Sequence, residues 1–409
     1  MKNRYDVKYG LPEEIKFCKN CVMSNQRPAS TAEFKHTISS KKTTMYIHED
    51  GVCDACKMAE DKESIDWKER EDQLLRLLDK HRRKDGYYDC IVPGSGGKDS
   101  AYQSHVLKYK YGMHPLTITW PPIMYTEYGY QNFRKWIEVG GFDNISYNQN
   151  GRVMKLLTKL AIENLFHPFQ TFILGQKNIG PKIAAKFEIP LVFYGENEAE
   201  YGNPIADNVS SLRSKSYHAM ENIEEMYLGG LSVPHLIEKY DLSMNDLMTF
   251  LPAPVKEIER SGIEVHYLGY YLKWTPQEVY YYAVDKTGFK ARPHRTQGTY
   301  SKYNSIDDKI DDLHYYTTFI KFGIGRATYD AAQEIRNKHV SREEGQALVK
   351  RFDGEFPDRY FNEIMEYLDI DPDYFLNGLT DKFRSQHLWE KEDGIWKLRH
   401  NVNGDGTDD

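Results

Sequence analysis

No apolar run in this chain approaches the roughly 18–20 residues that cross a bilayer. Its opening stretch, MKNRYDVKYGLPEEI, has no hydrophobic centre such as a secretory signal needs. A soluble cytoplasmic protein with no membrane association is expected. A basic excess is missing too. The formal net charge is −7, whereas chains dedicated to nucleic acid neutralise phosphates with surplus lysine and arginine. No nucleic-acid partner is expected. Cysteine is scarce, at five in 409 residues. In a reducing compartment such cysteines are free thiols or metal ligands rather than disulfides. Low-complexity blocks and internal repeats are absent, which excludes disordered and solenoid architectures.

What is present is ordinary folded-protein material, 40% hydrophobic and 28% charged, long enough for two or three domains. Residues 1–60 are irregular and carry two cysteine pairs. Residues 61–86 form a linking helix, with an apolar stripe over Trp67, Leu74, Leu75, Leu77 and Leu78 and a stop at Gly86. The basic cluster His81 to Lys84 is expected in its last turn, where positive charge complements the helix dipole.

From residue 87 to 275 strands and helices alternate. YYDCIVP, PLTITW, NISYN, QTFILG and PLVFYG are the expected strands, and EVHYLGYYL restores a strand near the end. PKIAAKFE is expected as a helix opened by Pro181. Residues 207–262 are a helical insertion broken by Pro234, Pro252 and Pro254. Residues 276–400 are mainly helical, and 401–409 a disordered tail. Repeated βα units imply an α/β fold with a parallel sheet covered on both faces.

The central feature is Pro93, Gly94, Ser95, Gly96, Gly97, Lys98, Asp99 and Ser100, between an apolar strand and a helix. Glycines let the backbone turn tightly around an anion, and the helix start offers unpaired N–H groups to it. Asp99 would repel a bare phosphate but suits a phosphate-bound Mg²⁺. A Walker A loop would need glycine at Val92 and serine or threonine at Asp99. The segment matches instead the PP-loop, S-G-G-x-D-S, of ATP-pyrophosphatases, which implies an adenine nucleotide alpha hydrolase-like domain. That resemblance puts the adenine near Thr119 and Trp120.

Cys18, Cys21, Cys53 and Cys56 form a CxxC…CxxC set. Four thiolates at this spacing suit a closed, structural Zn²⁺ site; an iron–sulfur cluster and redox thiols are the rivals. Cys90 lies in the strand before the loop and is expected as a buried core thiol.

The order of CKNCVMSNQRP, GVCDAC, PGSGGKDS, LGQKNIGPKIA, YGENEAEYG, RTQGTYSKYNSIDDKID and FIKFGIGRATYDAAQEIRN resembles the N-acetyl sugar amidotransferase family of bacterial surface-polysaccharide and nonulosonate-sugar pathways. The resemblance implies an ATP-dependent carbon–nitrogen ligase. The carbonyl oxygen of a sugar N-acetyl group is adenylated, and ammonia then displaces AMP to leave an acetamidino group. It implies ATP and Mg²⁺ as cofactors, and as partners a glutaminase subunit and a cyclase-like ammonia-delivering subunit.

Roles follow as expectations. Asp99, Lys321, Glu196 and Asn197 are the catalytic candidates, with Glu196 to steer ammonia or hold Mg²⁺ and Asn197 to orient the acetamide. Gly175 and Gln176 join the loop as ATP contacts. Arg292, Arg295, Thr299, Tyr300, Lys302 and Arg326 are candidate sugar contacts, the cations toward carboxylate or phosphate. Ser305 with Asp308 is expected to open a helix as a variant capping box. The rival functions are a tRNA-thiolating PP-loop enzyme and a zinc-bearing scaffold with a vestigial ATP site.

Overall fold

A computed structural model of the chain describes residues 5–30, 34–196, 200 and 210–402. The predicted disordered tail from 403 onward and Asn197 lie outside the described residues. In chain order the elements that position the site are α1 (Asp54–Glu63), α2 (Trp67–His81), β1 (Cys90–Pro93), α3 (Lys98–His105), β2 (Pro115–Thr119), α4 (Glu127–Glu138), β3 (Asn144–Ser146), α5 (Gly151–Leu165), α6 (Gln170–Phe187), β4 (Leu191–Tyr194) and β5 (Glu264–Tyr267). The C-terminal half adds α7 (Pro276–Thr287), α8 (Ile310–Phe322), α9 (Arg326–Arg336), α10 (Arg342–Phe352) and α11 (Asp358–Leu368), then a hairpin of Trp389–Glu392 and Ile395–Leu398.

The expected α/β class is observed. The sheet order is β3-β2-β1-β4-β5 and every pairing is parallel. Alternation along the central strands explains why both faces are covered. Ile91 and Val192 join an apolar cluster with Leu157 and Ile183 on one side. Val92, Leu191 and Phe193 join Leu74, Leu78 and Trp274 on the other. In the order 3-2-1-4-5 the connections diverge between β1 and β4. Their carboxyl ends therefore leave an open crevice, the place where open parallel sheets bind ligands.

Four local expectations are corrected. QTFILG is not a strand; it forms the first turns of α6, which runs unbroken through Pro181. A six-residue apolar run does not separate strand from buried helix, and here Leu174, Ile179 and Ile183 of α6 are all buried in one apolar cluster. Pro181 has no N–H for the carbonyl of Lys177, and the Tyr194 hydroxyl donates to that carbonyl instead (3.2 Å). Tyr194→Phe is expected to cost about 1 kcal/mol, measured by urea unfolding, with the fold unchanged. Of the basic cluster only His81 lies in the last turn of α2, and Arg82 to Lys84 lie past it. Arg82 is extended and donates to the carbonyls of Tyr111 and Gly112, and Arg83 pairs with Asp85. Pro234 stands in the first turn of a helix, Val233–Tyr240, and so starts an element rather than breaking one.

The fourth correction concerns Ser305 and Asp308. No capping box forms; α8 starts at Ile310 without a side-chain cap. Ser305 has φ +51° and its hydroxyl meets that of Tyr315. Asp308 turns away to bind another segment, described below. The local pattern was open to both outcomes, and the long-range partner won.

Residues 5–30 and 34–60 do not stand alone. Val22 and Met23 share an apolar cluster with Ile324, Ala331, Phe361 and Ile364 from the C-terminal helices.

Candidate active site and metal centre

The loop after β1 is shaped by contacts that leave no room for side chains. A Cβ on Gly94 would lie 2.2 Å from Cβ of Ser100. Gly96 has φ +84°, and a Cβ there would lie 2.6 Å from Cα of Phe133. Gly97 caps α3 and supplies no side-chain bond, so the first N–H groups of the helix remain available to an anion. The buried Lys98 ammonium donates to the carboxylate of Asp99 at 2.7 and 2.9 Å. The Ser100 hydroxyl donates to the carbonyl of Gly97 (3.0 Å), bracing the turn.

Two cavities meet at this loop and share Ser95, Gly97, Asp99 and Glu196. The first, of about 380 Å³, is walled by Pro93, Ser100, Ile118, Trp120, Gln176 and Tyr194. Trp120 presents a ring held flat by Gly175, where a Cβ would lie 2.0 Å from it. Among the described residues its buried indole N–H has no partner. Thr119 is buried beside it, and its hydroxyl accepts from the Asn144 amide (2.9 Å). An apolar slot of this size, with a phosphate-type loop at one end, fits a nucleotide.

The second cavity, of about 350 Å³, is acidic. Asp99, Glu196, Asp307 and Asp311 line it, opposed by Lys98 and Arg326. Burial and the neighbouring Asp307, Asp308 and Asp312 push the Asp311 carboxyl well above its ordinary range, while Arg326 acts against this. Carboxylates gathered from three separate segments offer hard oxygen ligands of the kind Mg²⁺ takes. Asp308 holds this cavity's wall. Its carboxylate accepts from the backbone N–H of Met124 (3.2 Å), Ile310 (3.0 Å) and Ile123 (2.5 Å), and burial pushes it up to about 7. Asp308→Ala should lower stability by about 2–3 kcal/mol through orphaned N–H groups, read by chemical denaturation.

The expected sugar contacts are less gathered. Arg292 is buried and donates to the hydroxyl of Thr296 and the carbonyl of Ser305. Arg295 forms a two-pronged pair with Glu355. The Thr299 hydroxyl donates to Asp330 (2.6 Å), Tyr300 is partly buried, and Lys302 is exposed. Arg326 reaches Asp330 (2.9 Å) and lines the acidic cavity. Lys321 is buried elsewhere, donating to the Leu165 carbonyl (2.8 Å). It lines a third cavity of about 430 Å³ that shares Arg326 with the acidic one and Gln176 and Lys177 with the nucleotide slot.

That third cavity contains two residues the sequence analysis passed over. His167 and His314 stack with centroids 5.0 Å apart and rings 17° from parallel. Burial lowers both; nearby Arg326 and Lys42 add to this for His314, which falls to about 3. Single histidines beside apolar residues carry no local signal, and these two are far apart in the chain, one between α5 and α6 and the other in α8.

The four paired cysteines are buried, and their sulfur atoms all lie within 4.8 Å of one another. Cys18–Cys56 and Cys21–Cys53 are each 3.8 Å apart. A tetrahedral ion with metal–sulfur bonds near 2.3 Å places its ligands about 3.8 Å apart, so the set fits one ion. Backbone N–H groups of Met23 and Cys53 point at Cys21 and Cys18 sulfur, and Arg342 of α10 binds the carbonyls of Cys18 and Cys21. All five cysteines are unbridged, and Cys90 is fully buried in β1. Among the described residues no helix is long and apolar enough to cross a membrane.

Comparison with known proteins adds a family. Residues 297–403 match a family described as “LPS biosynthesis protein WbpG-like, C-terminal domain”. No curated protein matches the chain. Among solved structures, “U34-tRNA thiolase NcsA from Methanococcus maripaludis with its [4Fe-4S] cluster” aligns at 10% identity over 78% of this chain and 89% of that one, with a TM-score of 0.30.

Proposed function

We propose, from the premise that residues 297–403 match a WbpG-like C-terminal domain and from the resemblance to the N-acetyl sugar amidotransferases, that this chain is an ATP-dependent ligase converting a sugar acetamide to an acetamidine. The observation that carries this is the Gly94–Ser100 loop, set at the divergence of β1 and β4 with a nucleotide-sized slot on one side and an acidic cavity on the other.

An amide is a poor electrophile, and its oxygen leaves only if made into a good leaving group. The loop's N–H groups and Lys98 would hold the phosphates of ATP while the acetamide oxygen attacks the α-phosphorus and pyrophosphate departs. Asp99, with Asp307, Asp311 or Glu196, would hold the Mg²⁺ that offsets phosphate charge. Ammonia would then attack the imidate carbon, AMP would leave, and one proton would pass to an acidic side chain. Glu196 would steer ammonia in that second step, and Asn197 would orient the acetamide.

A partner glutaminase is part of the proposal. Four cysteines are committed to one cluster and Cys90 is enclosed in the sheet, so none is placed as a glutamine-attacking nucleophile. The spacing of the cluster supports a single structural Zn²⁺ over a larger iron–sulfur group.

The test is incubation with ATP, Mg²⁺, ammonium and N-acetylated sugars. Pyrophosphate release should require the sugar, and the product mass should fall by the difference between O and NH. Asp99→Asn should reduce this release by roughly 100-fold or more. Tight, salt-sensitive binding of total tRNA, with no sugar-dependent pyrophosphate, would overturn the proposal.

A further inference from the structure

The nucleotide slot and the acidic cavity meet at Ser95, Gly97, Asp99 and Glu196. With a base in the slot and phosphates on the loop, an attacking group reaches the α-phosphorus through the acidic cavity, the other space open to that loop. Beyond its carboxylates this cavity has a wall of a different kind, formed by Phe289, Tyr303 and Gln333.

The ring of Tyr303 lies flat against Tyr280 of α7, with centroids 4.2 Å apart and planes 14° from parallel. Tyr280 meets Phe289 edge-on at 6.0 Å. One face of Tyr303 is thus covered, and the face it offers to the cavity is the other. Its hydroxyl donates to Glu334 of α9 (3.5 Å), and the backbone N–H groups of Tyr303 and Asn304 donate to the Ser301 hydroxyl (3.3 and 3.1 Å). The ring is therefore fixed before any ligand arrives. A rigid aromatic face among carboxylates suits a ligand with C–H groups on its flat side and polar groups around its rim, which is the build of a pyranose. Gln333 of α9 is half-buried on the same wall, and among the described residues its side-chain amide makes no hydrogen bond. A primary amide offers both a donor and an acceptor to a ligand amide.

We infer that the pyranose ring of the acceptor stacks on Tyr303 and that the side-chain oxygen of Gln333 accepts the acetamide N–H. The inference rests on the proposed ligase activity and assigns it two acceptor-orienting residues away from the Arg292–Lys302 segment. Arg292 and Arg295 of that segment are engaged by Thr296, the Ser305 carbonyl and Glu355. The two residues do different work. As the acetamide oxygen bonds to the α-phosphorus and pyrophosphate leaves, positive charge grows on the acetamide nitrogen and its N–H becomes a stronger donor. Gln333 therefore holds the transition state more tightly than the ground state and acts on kcat. Stacking on Tyr303 is the same in both states and acts on KM.

The full chain is saturated with α,β-methylene-ATP, and binding of N-acetylglucosamine, N-acetylgalactosamine and N-acetylmannosamine is followed by saturation-transfer NMR, with glucose as the probe lacking the acetamide. Sugar-dependent pyrophosphate release with ATP is measured in parallel. Tyr303→Leu should weaken the best-binding sugar, and raise its KM, about 10-fold while leaving KM for ATP within about 3-fold. Tyr303→Phe keeps the ring and should match the parent protein. Gln333→Leu should lower kcat roughly 10- to 100-fold with a smaller change in KM, and should leave glucose binding unchanged. It decides the matter if Tyr303→Leu does not fold. Failure of all three N-acetyl sugars to bind, or indifference of binding and release to the folded variants, overturns the inference. If a sugar binds and Tyr303→Leu weakens it, but no sugar supports release, the seat stands and the ligase activity is wrong. If release proceeds and neither variant alters it, the ligase activity stands and the seat is wrong.

Discussion

Gly96→Ala is expected to reduce ATP-dependent pyrophosphate release by roughly 100- to 1,000-fold, the loss typical when a preorganised anion donor is removed. Two effects combine. At φ +84° an alanine sits in the left-handed region, at about 1 kcal/mol or more. Its Cβ would also lie 2.6 Å from Cα of Phe133 and 2.9 Å from its nitrogen, both backbone atoms of α4 that cannot swing aside. The loop must therefore shift, and its N–H groups lose their aim. Gly97 is the control. A Cβ there meets nothing closer than the Ser95 hydroxyl at 3.7 Å and its φ is negative, so Gly97→Ala should fold normally and show a smaller loss. ATP-analogue affinity and pyrophosphate release measured together would check both. Equal activities for the two variants would show that the loop's shape does not set the rate.

The second large effect is expected at the cysteine cluster. Apparent binding energies of structural zinc sites, about 10–16 kcal/mol, equal or exceed the whole stability of a typical domain. The Cys18–Cys56 cluster shares its core with Ile324, Ala331 and Phe361, and Arg342 of α10 ties directly to its carbonyls. Cys21→Ser with Cys53→Ser should thus unfold more than the N-terminal segment. Soluble yield should fall sharply, and protease sites should open in α9 and α10 while the parallel sheet keeps more of its protection. Elemental analysis of the parent protein should find one zinc per chain and no iron. Iron with visible absorbance would replace the zinc assignment by a cluster. A fully folded, metal-free double variant would show that the cysteines act only as packing.

The chemistry-bearing loop was legible in sequence because its geometry is local. A strand, three glycines in four residues and a helix start lie within one stretch, and the backbone requirements of an anion site are met by neighbours in the chain. The same holds for the cysteine pairs, where two residues between ligands suffice to bring two thiolates to one ion. Elsewhere local signals were double-edged. QTFILG could be strand or helix, and Ser305–Asp308 could be a cap or a latch. The α6 core face and the N–H groups of residues 123–124 decided those cases.

Sequence by itself therefore determined the parallel α/β class, the phosphate-type loop and the four-cysteine set, since each rests on periodicity or spacing within a short segment. Tertiary structure alone decided what stands around the loop. Divergence of β1 and β4 puts Glu196 beside Asp99. The packing of α8 brings His314 over His167 and separates Lys321 from the acidic cavity that Arg326 faces. Side chains more than a hundred residues apart meet only because burying the apolar faces of α5, α6 and α8 fixes where their polar edges converge, and no local pattern encodes that convergence.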